Sequence, residues 1–417
     1  MELDADVIVV GAGAAGLWAA GTAGALGRSV LVVEKTARAG SKVLASGGTR
    51  CNLTTTLGPD EAARLFGAGE RFIQPALRAL PPAEVRARFH AMGVPTVEEP
   101  DLEKVFPASQ RAIDVRDALY ERARVAGAGF LFESPVHHVA PEADEWVVTL
   151  LDRTLRCRKL LLCPGGKSYP ATGTTGDGYA WLWELGLTQV TPVPALVPLT
   201  SDAEWVTELA GIALQETEVR LHDPSDRIVA RRARPVLFTH HGLSGPGAMD
   251  LSSHVARAAL AGPVRGWTVA IDALPHRGQE DLRQALVDGS RAPGGPHLAR
   301  VLGEALPARL MAAVCRQAGL SGENPPLHQV DRSARNRLVD ALKGLRVPVS
   351  GTLGWDKAEV TAGGLALDEV SRTTMAVKRH PGLYAFGELL DLSGPIGGLN
   401  FQAAFATADL AARDACR

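Results

Sequence analysis

Gly11-Ala12-Gly13-Ala14-Ala15-Gly16 has the spacing G-x-G-x-x-G, and Glu34 stands 18 residues beyond its last glycine. In such a pattern the first glycine permits a tight turn, the second lets backbone approach a pyrophosphate, and the third lets a helix pack closely on a strand. The phosphates, with Ala14 and Ala15 beneath them, would rest on a helix N-terminus, where free N–H groups and the helix dipole favour an anion. Glu34 would accept hydrogen bonds from both ribose hydroxyls, which suits an adenosine without a 2′-phosphate. Context gives the motif its weight. Residues 6–10 are a short β-branched run, 17–26 a small-residue helix and 29–34 a second strand, so the chain opens on a βαβ unit. Gly166-Lys167-Ser168 ends like a Walker phosphate loop, but the position needing the earlier glycine is Leu161.

The residues after Glu34 point to a longer cofactor. Lys35, Arg38, Gly40 and Lys42 lead into Ser46-Gly47-Gly48-Thr49-Arg50-Cys51-Asn52, a long flexible loop carrying cations. Near the C-terminus, Gly387-Glu388 and then Gly397-Gly398-Leu399-Asn400 offer a second carboxylate and a second helix N-terminus, able to stabilise negative charge on a reduced flavin. Together with the turn at Gly165-Gly166, these segments suit an extended FAD. A second G-x-G-x-x-G is missing, so NAD(P)H is expected only as a transient donor docking in a cleft between domains.

The elements that must position these residues follow from pattern and punctuation. Helices are expected around 61–80, 83–92 and 113–126, strands over 129–162 with a turn at 141–144, and a buried strand at 159–163. From about 187 to 348 the texture changes to short alternating strands such as 216–221, with helices around 280–287, 298–306 and 309–318. The tail returns to α/β character, with a strand at 382–386 and a closing helix at 401–415. Domain boundaries are therefore drawn as 1–188 and 350–417 for a cofactor domain, 189–255 and 326–349 for an inserted strand-rich domain, and 256–325 for a helical insert within it.

The 417 residues carry 44 Lys plus Arg against 46 Asp plus Glu, a formal net charge of -2. That balance gives no pull toward nucleic acid or anionic membrane, so neither is expected as a partner. Residues 7–27 lack charge, but their glycines and strand-turn-helix pattern oppose a membrane span. The five cysteines form no C-x-x-C pair or zinc-spaced cluster, so no metal is expected and a cytoplasmic protein with reduced thiols is the simplest reading.

Flavin carries the hydride chemistry, so no complete catalytic set is required of the chain. Cys51 is the one cysteine near the expected site, and it lacks a partner for dithiol chemistry. His240 and His241, in a glycine-rich turn, have a side chain able to protonate a substrate near neutral pH. These three are the catalytic candidates, and for each a packing or solvated role competes. Ser244 is no nucleophile elbow, because position 246 is Pro.

Four strings in order, residues 46–52, 238–246, 361–364 and 387–402, resemble the YhiN/BaiN-like (HI-type) flavoproteins nearly end to end. The resemblance implies an α/β fold, a two-dinucleotide-binding (Rossmann-like) FAD domain interrupted by a β-barrel domain that carries a small helical insert. It implies that Gly11, Gly13, Gly16 and Glu34 hold the adenosine end with backbone help from Val136, and that Arg50, Cys51 and Asn52 lie near the flavin. Glu388 stands where related flavoproteins place an Asp for the ribityl chain, and residues 397–400 would meet the polar edge of the ring. Better-known members reduce conjugated carbon-carbon double bonds of steroid-like molecules with NAD(P)H. The expected function is an FAD-dependent oxidoreductase reducing an unsaturated, enone-like small molecule. The alternatives are a nonenzymatic flavin-binding or regulatory protein and an FAD-dependent RNA-modifying protein. Oligomeric state is left open.

Overall fold

The computed structural model describes residues 3–99, 103–303 and 306–417. The chain forms two compact units, Met1–Pro194 with Ala358–Arg417, and Ala195–Lys357. Each has its own apolar core.

The first unit is a Rossmann-like α/β domain. Strand β1, Ala5–Val10, is buried almost throughout, as its run of β-branched residues requires of a central parallel strand. It pairs in parallel with β2, Val30–Val33, in the register Val7↔Val30 to Val10↔Val33. Gly129–Leu131 continues the sheet beyond β2. On the other side of β1 lies the strand Thr154–Leu162, parallel, with Val10 opposite Leu162. This nine-residue strand serves two neighbours. Its first half pairs antiparallel with Glu145–Thr149, and its last residues pair parallel with Leu383–Ala385. Five strands thus point the same way, and the segments after their carboxyl ends are Gly11, Glu34, Phe132, Cys163 and Phe386 onward. In open α/β sheets that edge is where ligands bind.

Helix α1, Ala14–Ala25, connects β1 to β2 and is held against the C-terminal helix Leu399–Ala415. Asp409, 1% exposed, accepts hydrogen bonds from Trp18 Nε1 at 3.1 Å, Arg88 Nη1 at 2.9 Å and Arg413 Nε at 2.6 Å. A buried carboxylate must be paired in this way, and here the pairing fixes α1 on its neighbours.

Several elements depart from the expectations. The helix expected over 61–80 is interrupted: Pro59–Arg64 and Glu70–Ala79 are separated by a turn in which Gly67 has φ +56. The loop at 38–52 contains a short helix, Ser41–Ala45. Val136 lies in an irregular connection, not in a strand. The second unit contains two antiparallel sheets, one of five strands and one of four. The strand Trp267–Asp272 falls inside the stretch expected as helical insert, pairing with Glu218–His222 and Leu345–Val349. Conversely, Arg332–Lys343 is a helix where strands were expected. Asp331 caps it by accepting from Ala334 N at 2.8 Å, and its apolar face buries Leu338, Val339 and Leu342 beneath an arginine-rich surface that masked the periodicity. The helix expected at 298–306 is seen as Leu298–Val301, and residues 304–305 lie outside the described residues.

Candidate functional site

The glycine turn after β1 is shaped by close approach. Gly11 has φ +105, and a Cβ there would stand 2.6 Å from the Cys163 carbonyl oxygen. A Cβ on Gly16 would stand 1.8 Å from the Gly11 oxygen. Gly13 differs, since a Cβ there would meet no atom within 4 Å. The open side of Gly13 is therefore a cradle at the start of α1, whose N-terminus has no side-chain cap. Uncapped N–H groups and the helix dipole suit an anion, so this chain's residues fit a dinucleotide pyrophosphate at Gly13, Ala14 and Ala15.

Glu34, just past β2, bends back onto this turn. Its Oε2 accepts from Ala12 N at 2.8 Å, and its Oε1 accepts from Thr36 N and Thr36 Oγ1, each at 2.8 Å. Two carboxylate oxygens offer about four acceptor sites, which leaves capacity for a ribose hydroxyl. Ser134 N donates to the Glu34 carbonyl at 2.9 Å, which brings the connection bearing Val136 beside it. Lys35 is turned elsewhere, to Thr175 Oγ1 and to Asp177 Oδ2 at 2.6 Å.

Glu388 follows the strand Leu383–Ala385 and is clamped from three segments. Lys42 Nζ donates to its two oxygens at 2.8 and 2.6 Å, Ser168 Oγ at 2.6 Å, and Thr361 N at 2.8 Å. Thr361 Oγ1 in turn accepts from Lys167 N and Ser168 N at 2.8 and 3.1 Å. Gly166 makes this possible, because a Cβ there would stand 2.2 Å from Thr361 Oγ1. Gly165, φ +82, likewise presses on Thr174. These two glycines serve contacts between protein segments. Ser168 and Thr361 carried no cofactor role in the sequence reading, since nothing local marks either as a partner of residue 388. Gly387 places the same loop against α1, its missing Cβ 3.2 Å from that of Ala15.

The loop at 46–52 runs through left-handed backbone at Gly47, Gly48, Thr49 and Cys51, with φ between +55 and +68. Ser46 Oγ donates to the Val43 carbonyl at 2.6 Å, and Asn52 Oδ1 accepts from Val105 N at 3.2 Å. Gly398 meets this segment closely, since a Cβ on it would stand 2.0 Å from the Thr54 oxygen. The helix Leu399–Ala415 that starts there has no side-chain cap, and the Asn400 side chain pairs with Gly394 N and O at 2.9 Å each. Gln402, fully buried, ties the two segments by accepting from Thr54 Oγ1 at 2.6 Å. It too was missed.

Cys51 is 0% exposed and burial pushes its thiol up to about 12, a Ser46 contact opposing. A thiolate nucleophile or redox thiol needs the opposite environment, which argues for packing at this position. His240 and His241 belong to the second unit, exposed in the turn between the strands Val236–Thr239 and Gly242–Ser244. Among the described residues no group of three His, Cys, Asp or Glu is placed to hold a metal ion, and no helix is long and apolar enough to cross a membrane.

Parallel sheet, glycine cradle and Glu34 together define a dinucleotide-binding α/β protein. The chain matches the family described as HI0933-like protein Rossmann domain over residues 5–414, and it belongs to that family of FAD-dependent oxidoreductases. It is 31% identical to a ribosomal RNA dihydrouridine synthase of Escherichia coli, over 98% of this chain and 97% of that one. It is 27% identical to a 3-dehydro-bile acid delta(4,6)-reductase of Clostridium scindens, over 98% of each. Among solved structures it resembles a 3-ketosteroid-delta4-(5alpha)-dehydrogenase of Rhodococcus jostii RHA1, with TM-score 0.52 and 16% identity over 100% of this chain and 98% of that one, a likeness of fold. The first relative removes the ground for one expectation. A net charge of -2 does not exclude nucleic acid, because a sum over the whole chain is silent about local patches.

Proposed function

We propose that this chain reduces a carbon-carbon double bond conjugated with a carbonyl, and that the bond is the 5,6 bond of a uracil ring in ribosomal RNA. The observation that carries the substrate is the 31% identity to a ribosomal RNA dihydrouridine synthase along essentially the whole of both chains. A second reading, an enone-like small molecule, is favoured by the likeness to the bile acid reductase and by the near-neutral charge. Both substrates share one chemistry. The β-carbon of the conjugated system takes a hydride, the carbonyl oxygen gains negative charge, and the α-carbon then takes a proton.

FAD, when bound, would supply the hydride chemistry, with a nicotinamide as the source of the two electrons. The chain's own part is to hold and orient. Gly13, Ala14 and Ala15 receive the pyrophosphate, Glu34 the adenosine ribose, and the connection at Val136 borders the adenine. Ser46 to Asn52 and Gly397 to Asn400 border the flavin, where the N-terminus of Leu399–Ala415 favours negative charge. Lys42 and Glu388 form the clamp beside the ribityl chain. We further read the two sheets of the second unit as a barrel-like inserted domain with the helices of 279–343 as its insert, and the setting as cytoplasmic.

The test is to incubate the FAD-loaded protein with NADH or NADPH and in-vitro-transcribed ribosomal RNA, with an unsaturated 3-ketosteroid in parallel, and to follow mass. A gain of two hydrogens at uridine supports the reading. A gain on the steroid alone moves the substrate to the small molecule. Flavin that no donor reduces would leave a nonenzymatic flavin protein.

A further inference from the structure

We infer that Arg50 grips the carbonyl oxygen of the substrate, an inference resting on the proposed reduction of a conjugated bond. Its guanidinium is fixed in three ways. Nη1 donates to Glu99 Oε1 at 2.7 Å and to Gln110 Oε1 at 3.0 Å, and the group lies over the ring of the buried Phe106 with its central carbon 4.1 Å from the centroid. Among the described residues both hydrogen bonds leave from Nη1, so the edge formed by Nε and Nη2 faces away from this anchor. The side chain is 41% exposed.

A purely structural clasp would be built otherwise. An arginine tying a loop to a carboxylate does best with two parallel bonds from two nitrogens, whereas here, among the described residues, one nitrogen carries both and the planar fork has no partner. The backbone that presents Arg50 is also unfavourable by itself. Thr49 and Cys51 on either side sit at φ +68 and +61, and left-handed backbone is a genuine outlier for a β-branched residue. Such strain persists where the surroundings impose it, and it concentrates at functional sites. The place is consistent, since Gly47 of the same loop packs on Phe106 and Asn52, and Asn52 borders Gly398 at the start of Leu399–Ala415.

The chemistry then assigns the role. As hydride reaches the β-carbon, the π electrons move to the carbonyl oxygen, and the Nε and Nη2 N–H groups of a fixed cation hold that charge without reorganising. Uracil and an enone present the same oxygen, so Arg50 serves either substrate.

Two half-reactions separate this role from a structural one. Arg50→Gln and Arg50→Lys are loaded with FAD, and flavin absorbance and reduction by the nicotinamide donor are measured first, then reoxidation by cyclohex-2-enone and by a uridine-containing RNA hairpin. Counted per bound flavin, reoxidation is expected to slow about 10²- to 10³-fold in Arg50→Gln, as on removal of an oxyanion donor, and less in Arg50→Lys, with the reductive half-reaction affected far less than the oxidative one. Glu99→Gln and Phe106→Leu leave Arg50 in place but free its head, and they should lower kcat for reoxidation while flavin binding holds. Reoxidation of Arg50→Gln at the wild-type rate overturns the inference, as does loss that tracks loss of flavin across all four variants. If the wild type itself is reoxidised by neither probe, the proposed reduction falls and takes this inference with it, a result distinct from an active wild type with an equally active variant.

Discussion

The glycine turn at Gly11 to Gly16 and the clamp around Glu388 hold the same cofactor domain together by opposite means. In the turn, backbone oxygens press on Gly11 and Gly16, where a Cβ would stand 2.6 and 1.8 Å from them, and the constraint is written in residue type: nothing larger than hydrogen fits at either. In the clamp, Lys42, Ser168, Thr361 and Glu388 come from segments up to 346 residues apart, and any of them could be an ordinary surface residue by local pattern. A site built from shape is tolerant of chemistry and intolerant of volume. A site built from converging side chains is the reverse.

The largest effects should come from volume in the turn. Gly16→Ala places a carbon 1.8 Å from a carbonyl oxygen, so purified protein is expected with little flavin and a destabilisation of at least about 1–3 kcal/mol by chemical denaturation. Gly13→Ala sharpens the contrast, since its neighbourhood is empty in the protein itself. Stability should stay near wild type while FAD affinity collapses, and equal loss of both would show the cradle to be structural.

Asp409 comes next, because it supports the turn from behind. Asp409→Ala removes the acceptor of Trp18 Nε1 and one partner each of Arg88 and Arg413, but Arg88 keeps Glu84 and Arg413 is about half exposed, so the expected cost is about 1–3 kcal/mol. The clamp should be milder. Lys42 and Glu388 are about a fifth to a quarter exposed, so Glu388→Gln is expected to cost about 1–2 kcal/mol, with a double-mutant cycle against Lys42→Met showing coupling above about 0.5 kcal/mol. No coupling would mean that the two residues do not act as a pair.

The smallest effect is one of pH. Burial raises the Glu369 carboxyl, but hydrogen bonds from Thr188 and Arg379 outweigh it and hold the group down at about 2, against an ordinary 4.5. A depressed carboxylate contributes stability that is full above pH 4.5 and is lost as pH falls toward 2. Glu369→Gln should therefore flatten the acid limb of the stability curve in that window and leave the curve above it parallel to wild type.

The same contrast explains what the sequence revealed. The βαβ opening was legible because its signals lie within 34 residues and each has a local cause: β-branched strands, small helix residues, glycines at fixed offsets. The loop at 46–52 and the helix start at 397–400 were legible as glycine-rich segments, but not how they meet, since the contact of Gly398 with Thr54 is set by tertiary packing. Lys35 was read as a cofactor contact from position alone, while Asp177, 142 residues later, claims its ammonium. In the second unit, the arginine-rich surface of Arg332–Lys343 hid a helix, and the strand Trp267–Asp272 was absorbed into its helical surroundings. Net charge could not decide about nucleic acid for a related reason, as a sum discards position.

The most direct test of the central claim is an anaerobic titration of the FAD-loaded protein, reduced with NADPH or NADH and then mixed with uridine-containing ribosomal RNA, with flavin absorbance followed throughout. The account expects bleaching by the donor and full recovery on adding RNA, with dihydrouridine formed in proportion to flavin. Recovery with oxygen or an enone but none with RNA would contradict the uracil assignment, and a flavin that neither bleaches nor recovers would contradict the reductase itself.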